Sequence, residues 1–151
     1  MLLDALDLDR AVVRARRIPY ARPAHLYSPQ MSSMVIRRPS RQSVEDSPDQ
    51  FMADVVVQPR VQIAANIVVN TSVVIEHGCV LGMSCFIGPR SVLSSRVNID
   101  EEAFVGAGAA ILPEVKIGAN SVDGAGAVVT RDVVAQRTVV GNPAREYGAP
   151  S

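Results

Sequence analysis

The chain has 151 residues, which is typical of a single domain, and its 15 basic residues balance 15 acidic ones. A formal net charge of zero excludes a general electrostatic attraction to nucleic acid or to an anionic membrane. Hydrophobic residues make up 48% of the chain but aromatic residues only 4%, so the sequence predicts a core of aliphatic side chains.

Residues 1–50 differ from the rest of the chain because they hold five of the ten prolines and none of the ten glycines. A short helix is possible over 2–17, and the remainder predicts an irregular arm or linker. The arginines of this arm could contact the phosphates of a nucleotide sugar or of a partner, or could simply be solvated. Acids among the first nine residues argue against a secretory signal, and no stretch has the ~18 apolar residues of a membrane span. We therefore expect a cytoplasmic protein without a membrane partner.

A six-residue pattern repeats thirteen times from residue 57 to residue 134 without an insertion. The first position of each hexad, here called the lead, is aliphatic in all but one case. The leads are Val57, Ile63, Val69, Ile75, Leu81, Ile87, Leu93, Ile99, Val105, Ile111, Ile117, Asp123 and Val129. The fifth position of each hexad is small or β-branched. A period of six fits neither the 3.6 residues of a helical turn nor the alternation of a lone strand, and it predicts a solenoid.

In such a solenoid three hexads make one triangular coil, so residues eighteen apart stack above one another. The lead and the fifth position then point into the prism. The position after the lead is rich in residues that a tight corner tolerates, which predicts the corner there. These residues are Asn70, Gly82, Gly88, Asp100, Gly106, Gly118 and Gly124.

Four segments carry a resemblance to a known family. They are Asn70-Thr-Ser-Val-Val-Ile-Glu-His77, Gly106-Ala-Gly-Ala-Ala-Ile, Gly124-Ala-Gly-Ala-Val-Val-Thr130 and Val139-Val-Gly-Asn-Pro-Ala-Arg145. The chain resembles the hexapeptide-repeat acyltransferases, and within them the sialic-acid and bacillosamine group of sugar O- and N-acetyltransferases. The resemblance implies an all-β fold: a left-handed parallel β-helix over residues 51–134, with residues 135–151 as a short cap. It also implies acetyl-CoA as co-substrate, a sugar or nucleotide-sugar acceptor, and a homotrimer with active sites between subunits.

His77 is the candidate general base. It lies two positions after the lead Ile75, so its imidazole is expected to point away from the prism, onto a face that a neighbouring subunit could cover. An acceptor that attacks a thioester must lose a proton, and an imidazole with a pKa near ~6.5 suits that task at neutral pH. The resemblance implies the same role. The alternative is a surface histidine without a catalytic part.

Three other residues are candidates for the catalytic step. In the family an acidic residue commonly follows the base, and this chain has Gly78 at that position. Glu76 could therefore orient the imidazole instead, or could be solvated. Asn70 could hydrogen-bond the imidazole or the acceptor, or could only form a corner. Ser95 lies eighteen residues after His77, so its backbone amide is predicted to stack over the imidazole and to stabilise the oxyanion. As a nucleophile Ser95 is not expected, because no second histidine is available to activate it.

Coenzyme A needs a groove for its pantetheine arm and cations for its phosphates. Small residues on two adjacent coils are expected to form the bottom of the groove, next to Ser95. They are Gly106, Ala107, Gly124 and Ala125. Arg131 and Arg145, toward the C-terminal end, are the candidates for the phosphates.

Three inward positions are polar or reactive in ways that the pattern leaves open. Asp123 breaks the row of aliphatic leads, and an inward carboxylate must be hydrogen-bonded, protonated or turned outward. Cys79 and Cys85 occupy fifth positions of successive hexads, which predicts reduced core residues rather than a disulfide or a metal site.

Two other functions were considered on the same fold. A carbonic anhydrase of the γ type would need three imidazoles for zinc, and the chain has only His25 and His77, so no metal is expected. A catalytically degenerate repeat protein with a structural or binding role is the main alternative. Gly78 favours it, and so does the absence from residues 1–50 of the βαβ pattern that binds the sugar nucleotide in many members of the family.

Overall fold

The computed structural model describes residues 49–148 and the backbone of residues 34–36. The helix predicted over 2–17 lies outside these residues, and so does most of the predicted arm. The described residues form seventeen strands of two or three residues each. They are β1 (Met34–Ile36), β2 (Gln50–Phe51), β3 (Val55–Val57), β4 (Gln62–Ile63), β5 (Val68–Val69), β6 (Val74–Ile75), β7 (Val80–Leu81), β8 (Phe86–Ile87), β9 (Val92–Leu93), β10 (Asn98–Ile99), β11 (Phe104–Val105), β12 (Ala110–Ile111), β13 (Lys116–Ile117), β14 (Val122–Asp123), β15 (Val128–Val129), β16 (Thr138–Val140) and β17 (Arg145–Glu146).

The strands form three sheets that the chain visits in turn. Sheet A has the order β1-β3-β6-β9-β12-β15, sheet C the order β4-β7-β10-β13, and sheet B the order β2-β5-β8-β11-β14-β16-β17. From β2 to β15, neighbours within a sheet are parallel and pair residues eighteen apart, as Ile75 pairs with Leu93 and Leu93 with Ile111. The predicted solenoid with an eighteen-residue coil is confirmed.

The interior of the prism is the hydrophobic core. Every lead except Ile63, which lies near the N-terminal end of the solenoid and is half-buried, is buried, and so is every fifth position. The core is therefore a stack of aliphatic layers, each of which covers the one below. Burial of the leads follows directly from the hexad pattern, because a strand of two residues points one side chain in and one out.

The corners lie later in the hexad than the sequence predicted. Up to residue 126 the turns occupy the third and fourth positions, and the fourth has a positive φ, as at Ser72 (58°) and Gly78 (71°). The glycines directly after the lead have a different function, because there one coil passes close to the backbone of the next. A Cβ on Gly106 would lie 2.5 Å from the amide nitrogen of Ala125. Close stacking, not a corner conformation, is the reason for glycine at this position.

The two ends of the solenoid depart from the regular register. β1, inside the arm predicted to be irregular, pairs antiparallel with β3 at one end of sheet A. In the last coil the paired residues are sixteen positions apart instead of eighteen. Val133 therefore pairs with the lead Ile117, and Val139 pairs with Asp123. β16 and β17 then form an antiparallel pair at the end of sheet B. The predicted boundaries at residues 50 and 134 stay predictions. In the part of the chain that the structure describes, no helix is long and apolar enough to cross a membrane.

Candidate active site

Three edges run along the prism, one at each corner between sheets. The A/C edge is formed by the turns that follow the strands of sheet A, and the B/A edge by the turns that follow those of sheet B. At the third hexad position the A/C edge carries Pro59, His77, Ser95, Pro113 and Arg131 in order. Adjacent coils are about 4.8 Å apart, so these residues form a column.

The main chain around His77 is held on both sides. Its carbonyl oxygen accepts a hydrogen bond of 3.0 Å from the amide of Arg96, and the amide of Gly78 donates one of 3.2 Å to the carbonyl of Pro59. The side chain is 40% exposed, so the imidazole points away from the core as predicted. It lies on an edge of the prism rather than on a flat face.

The imidazole of His77 is contacted from one side. The hydroxyl oxygen of Ser95 lies 3.2 Å from Nδ1, and a carboxylate oxygen of Glu76 lies 3.9 Å from the same nitrogen. Among residues 49–148 no group bonds to Nε2. The ring therefore presents Nε2 outward, while Nδ1 faces the protein. The contact of the Ser95 hydroxyl was not predicted from the sequence, although the eighteen-residue spacing and the equivalent turn position both indicate it.

The backbone amide of Ser95 is an available donor. The amides on either side of it are used, since Ser94 donates to Ile111 over 3.1 Å and Arg96 to His77 over 3.0 Å. The amide of Ser95 donates to no residue in the described part of the chain. The predicted stacking of Ser95 over His77 is confirmed, and this stacking places a free N–H one coil from the imidazole.

Arg96 lies next to the position where the resemblance implies an acidic residue. Its Cγ would be 3.2 Å from a Cβ at Gly78, and its guanidinium forms an ion pair with Glu114. Gly78 also has a positive φ, which a side chain would strain. Among the described residues, the side chains that approach the imidazole are those of Glu76 and Ser95.

Asn70 and the four small residues of the predicted groove lie on the B/A edge, across sheet A from His77. Asn70 begins a turn there, and its side-chain oxygen accepts a hydrogen bond of 2.9 Å from the amide of Thr71. Within one chain the structure does not bring Asn70 to the imidazole. Two stacked pairs of small residues lie along the same edge: Gly106, Ala107, Gly124 and Ala125. A groove that includes both these pairs and His77 would need a second copy of the chain.

The two candidate phosphate ligands do meet. Arg131 and Arg145 line one open cavity at the C-terminal end of the solenoid, with Arg137 and Glu146 in its wall. Arg137 is paired with Glu146 over 2.9 Å, whereas Arg145 donates only to the carbonyl of its neighbour Ala144. The cavity therefore has two guanidinium groups without a carboxylate partner among the described residues.

Three inward polar or reactive groups lie outside this site. Asp123 is fully buried, and neither carboxylate oxygen has a hydrogen-bond partner among residues 49–148. Burial raises its pKa to about 7. Cys79 and Cys85 are buried free thiols, as predicted. Burial raises the pKa of both, that of Cys85 to about 11. In residues 49–148 no group of three His, Cys, Asp or Glu side chains is placed to hold a metal ion.

Comparison with solved structures supports the resemblance. Perosamine N-acetyltransferase from Caulobacter crescentus, solved with CoA and GDP-perosamine, is 38% identical, with a TM-score of 0.65 over 66% of this chain and 48% of that one. The acetyltransferase domain of PglB from Neisseria gonorrhoeae, solved with acetyl coenzyme A, is 30% identical, with a TM-score of 0.54 over 66% and 52%. A hexapeptide-repeat containing acetyltransferase from Vibrio cholerae, also with acetyl coenzyme A, is 25% identical, with a TM-score of 0.57 over 61% of each chain.

The structural neighbours of this chain are hexapeptide-repeat acetyltransferases. The predicted resemblance to the hexapeptide-repeat acyltransferases is thereby confirmed. The chain spans about half the length of the first two structures. No family model matches the chain.

Proposed function

We propose that the chain is an acetyl-CoA-dependent acyltransferase that transfers an acyl group to an amine or hydroxyl of a sugar or nucleotide sugar. The observation that carries the proposal is the pairing, on one edge of the prism, of an outward imidazole nitrogen with a free backbone amide one coil away. These are the two groups that direct acyl transfer from a thioester requires. Structural neighbours with bound CoA or acetyl coenzyme A support the assignment.

His77 is proposed as the general base. As the acceptor attacks the thioester carbonyl, Nε2 takes its proton and later delivers it to the departing thiolate. No covalent bond to the protein forms. General base catalysis of this kind typically contributes about 10²- to 10⁴-fold to the rate.

Ser95 is proposed to stabilise the negative charge that develops on the carbonyl oxygen. The donor is its backbone amide, which has no competing acceptor in residues 49–148. A fixed N–H in this role is worth about 10²- to 10³-fold, because it is already oriented when the charge appears. The side chain at position 95 is not needed for this step.

The A/C edge is proposed as the path of the co-substrate. Three coil steps separate His77 from Arg131, which is about 14 Å at 4.8 Å per step. An extended pantetheine arm spans this distance, so a thioester at His77 would put the phosphates near Arg131 and Arg145. Gly106, Ala107, Gly124 and Ala125 are proposed to line the groove from a second copy of the chain.

A homotrimer is proposed from the outward rows of the sheets. The outward side chains of sheet A from β3 to β15 are all aliphatic. Those of sheet B from β5 to β14 form an apolar row that includes stacked Phe86 and Phe104, with ring centroids 4.7 Å apart. Sheet C is more polar and carries the ion pair of Lys116 and Asp100 at 3.4 Å. Contacts with neighbouring copies would remove these apolar rows of sheets A and B from water. The A/C edge with His77 then borders the contact.

The acceptor is proposed to be an amino sugar or its nucleotide conjugate. This part of the proposal is supported by the structural neighbour solved with GDP-perosamine. The test is to incubate the purified full chain with acetyl-CoA and a panel of amino sugars, sialic acids and GDP-perosamine, and to follow thiol release.

His77→Ala is expected to lower the acceptor-dependent rate about 10²- to 10⁴-fold. His25→Ala is the matched control, because it removes the other histidine, and it is expected to retain the rate. Thiol release that His77→Ala leaves unchanged would exclude the general-base role. No release with any acceptor from a folded wild-type chain would favour the degenerate repeat protein.

A further inference from the structure

The hydroxyl of Ser95 has a contact that the amide-based role does not explain. It lies 3.2 Å from Nδ1 of His77, within hydrogen-bond distance, although the two residues are eighteen positions apart. Both occupy the same turn position on successive coils. The backbones of adjacent coils are about 4.8 Å apart, so the contact of 3.2 Å is made by the side chain of Ser95, which reaches toward the imidazole.

A nucleophilic serine would use the same contact, but the neighbouring charge argues against it. A serine nucleophile needs one imidazole nitrogen to take its proton and the other to face an orienting acid. Here the carboxylate of Glu76, at 3.9 Å, approaches the same nitrogen as the hydroxyl does. At that distance it is too far for a hydrogen bond and close enough for electrostatic attraction.

The two oxygens on one side of the ring determine which nitrogen carries the proton. A carboxylate can only accept, so its charge favours a proton on the nearer nitrogen, Nδ1. With Nδ1–H donating to the hydroxyl of Ser95, Nε2 keeps its lone pair and points outward. That is the form of neutral imidazole that can remove a proton from an acceptor.

We infer that the Ser95 hydroxyl is a positioning residue for His77: it accepts a hydrogen bond from Nδ1–H and so holds the ring in the tautomer and orientation that expose Nε2 as the base. This inference rests on the proposed acyltransferase function. In this chain the hydroxyl takes the orienting position that Gly78 cannot supply, with the charge of Glu76 behind it. Ser95 would thus act twice, through its amide on the substrate and through its side chain on the base.

The fold makes this arrangement rigid. The column on the A/C edge has Pro59 below His77 and Pro113 above Ser95, and a proline limits the conformations of its turn. The main chain of the two coils is joined by the bond from the Arg96 amide to the His77 carbonyl. Two turns held in this way keep the main chain at positions 77 and 95 in register, so the hydroxyl of Ser95 stays within reach of the ring.

The first test separates the hydroxyl from the amide by activity. Ser95→Ala removes the hydroxyl and keeps the amide, and it is expected to lower kcat roughly 10-fold, part of the general-base contribution, with an unchanged KM for acetyl-CoA. Ser95→Thr, which restores a hydroxyl, is expected to regain most of the rate. Thr71→Ala, at the same turn position on the B/A edge, is the matched control and is expected to leave kcat unchanged. The assay uses acetyl-CoA with GDP-perosamine or the best acceptor of the panel.

The second test observes the tautomer directly and does not depend on activity. The chain has two histidines, so ¹⁵N-histidine labelling gives two imidazole spectra, and His25→Gln assigns them. The neutral ring of His77 is expected to be the Nδ1–H tautomer in the wild type and to shift toward the Nε2–H tautomer in Ser95→Ala. Thr71→Ala is expected to leave it as in the wild type.

The outcomes separate the inference from the proposed function. An Nε2–H tautomer in the wild type, or a tautomer and kcat that Ser95→Ala leaves unchanged while His77→Ala abolishes activity, would overturn the inference alone. Activity that survives His77→Ala would overturn the general base whatever the spectra show. A loss of kcat in Ser95→Ala without a change of tautomer would overturn the positioning role of Ser95, since a structural defect alone would then explain the loss.

Discussion

The A/C and B/A edges of the prism are built from the same turn, yet among the described residues only the A/C edge carries the imidazole and the free amide proposed for acyl transfer. Up to residue 126 both have a positive φ at the fourth hexad position, and both repeat every eighteen residues. On the A/C edge the third position holds His77 and Ser95, whereas on the B/A edge it holds Thr71, then Pro89 and two alanines. The two edges thus share one backbone conformation and differ in the side chains at the third hexad position.

The largest expected effect comes from moving the histidine between the two edges. His77→Ala combined with Thr71→His retains an imidazole at the same turn position, but Pro89 stands where Ser95 would be. The rate is expected to stay about 10²- to 10⁴-fold below wild type, like that of His77→Ala alone. Initial rates with acetyl-CoA, alongside circular dichroism to check the fold, measure this. Recovery of the rate would mean that the edge is irrelevant.

The next effect concerns the interior that both edges share, at Asp123. Its folded-state pKa of about 7 lies above the usual 3.8, so the folded chain binds the proton more tightly than the unfolded chain does. The free energy of unfolding should therefore fall as pH rises from about 4 to about 7 and stay low above that. The difference corresponds to an upper bound on the order of 4 kcal/mol, at 1.36 kcal/mol per pKa unit.

Asp123→Val should abolish this loss of stability at high pH, because valine cannot ionise. Valine also matches the stacked neighbours Val105 and Val139. Urea denaturation at pH 4.5 and pH 8 measures the difference, and the variant should gain most at pH 8. Asp123→Asn, which cannot ionise, should lose the pH dependence while remaining less stable than the valine variant, because its amide is still unpaired. A wild type and a valine variant that differ equally at both pH values would contradict the prediction.

A smaller effect distinguishes the two kinds of glycine on the B/A edge. Gly106→Ala forces a Cβ to 2.5 Å from the backbone of the next coil and should cost about 3 kcal/mol. Gly108→Ala meets nothing within 4 Å but has a φ of 68°, and should cost about 1 kcal/mol. Chemical denaturation of the two variants measures the ratio. Equal costs would show that the coils separate easily at this edge.

The smallest expected effect is on co-substrate binding at the end of the A/C edge. Arg131→Ala should raise the KM for acetyl-CoA up to about 10-fold, with kcat nearly unchanged, because a charge-assisted contact to a phosphate is lost. Arg90→Ala on the B/A edge is the matched control and should leave KM unchanged. An equal change in both variants would indicate a nonspecific effect of charge.

Much of the fold could be predicted from the sequence because the hexad reports which side chains face inward. Burial of the leads and fifth positions follows from the pattern alone. The position of the corners did not follow, since a hydrophobic period gives side-chain direction and not the residue at which the chain turns. The sequence therefore predicts corners at the glycines directly after the lead, whereas close stacking of the coils is the reason for glycine there.

The candidate site was predicted in part. His77 and its stacking partner Ser95 follow from the eighteen-residue period. Asn70 is only seven positions from His77 in the sequence, but one strand of sheet A lies between them and places them on different edges. Arg131 is far from His77 in the sequence and yet belongs to the same column.

By itself the sequence determined a stack of three-sided coils with an aliphatic interior and one outward histidine, because a repeat of short local units specifies its own contacts. Only the tertiary structure decided which residues share an edge, which nitrogen of His77 faces Ser95, and that Asp123 is buried without a hydrogen-bond partner in the described part of the chain. These features depend on distances between different coils, and such distances exist only once the coils are stacked.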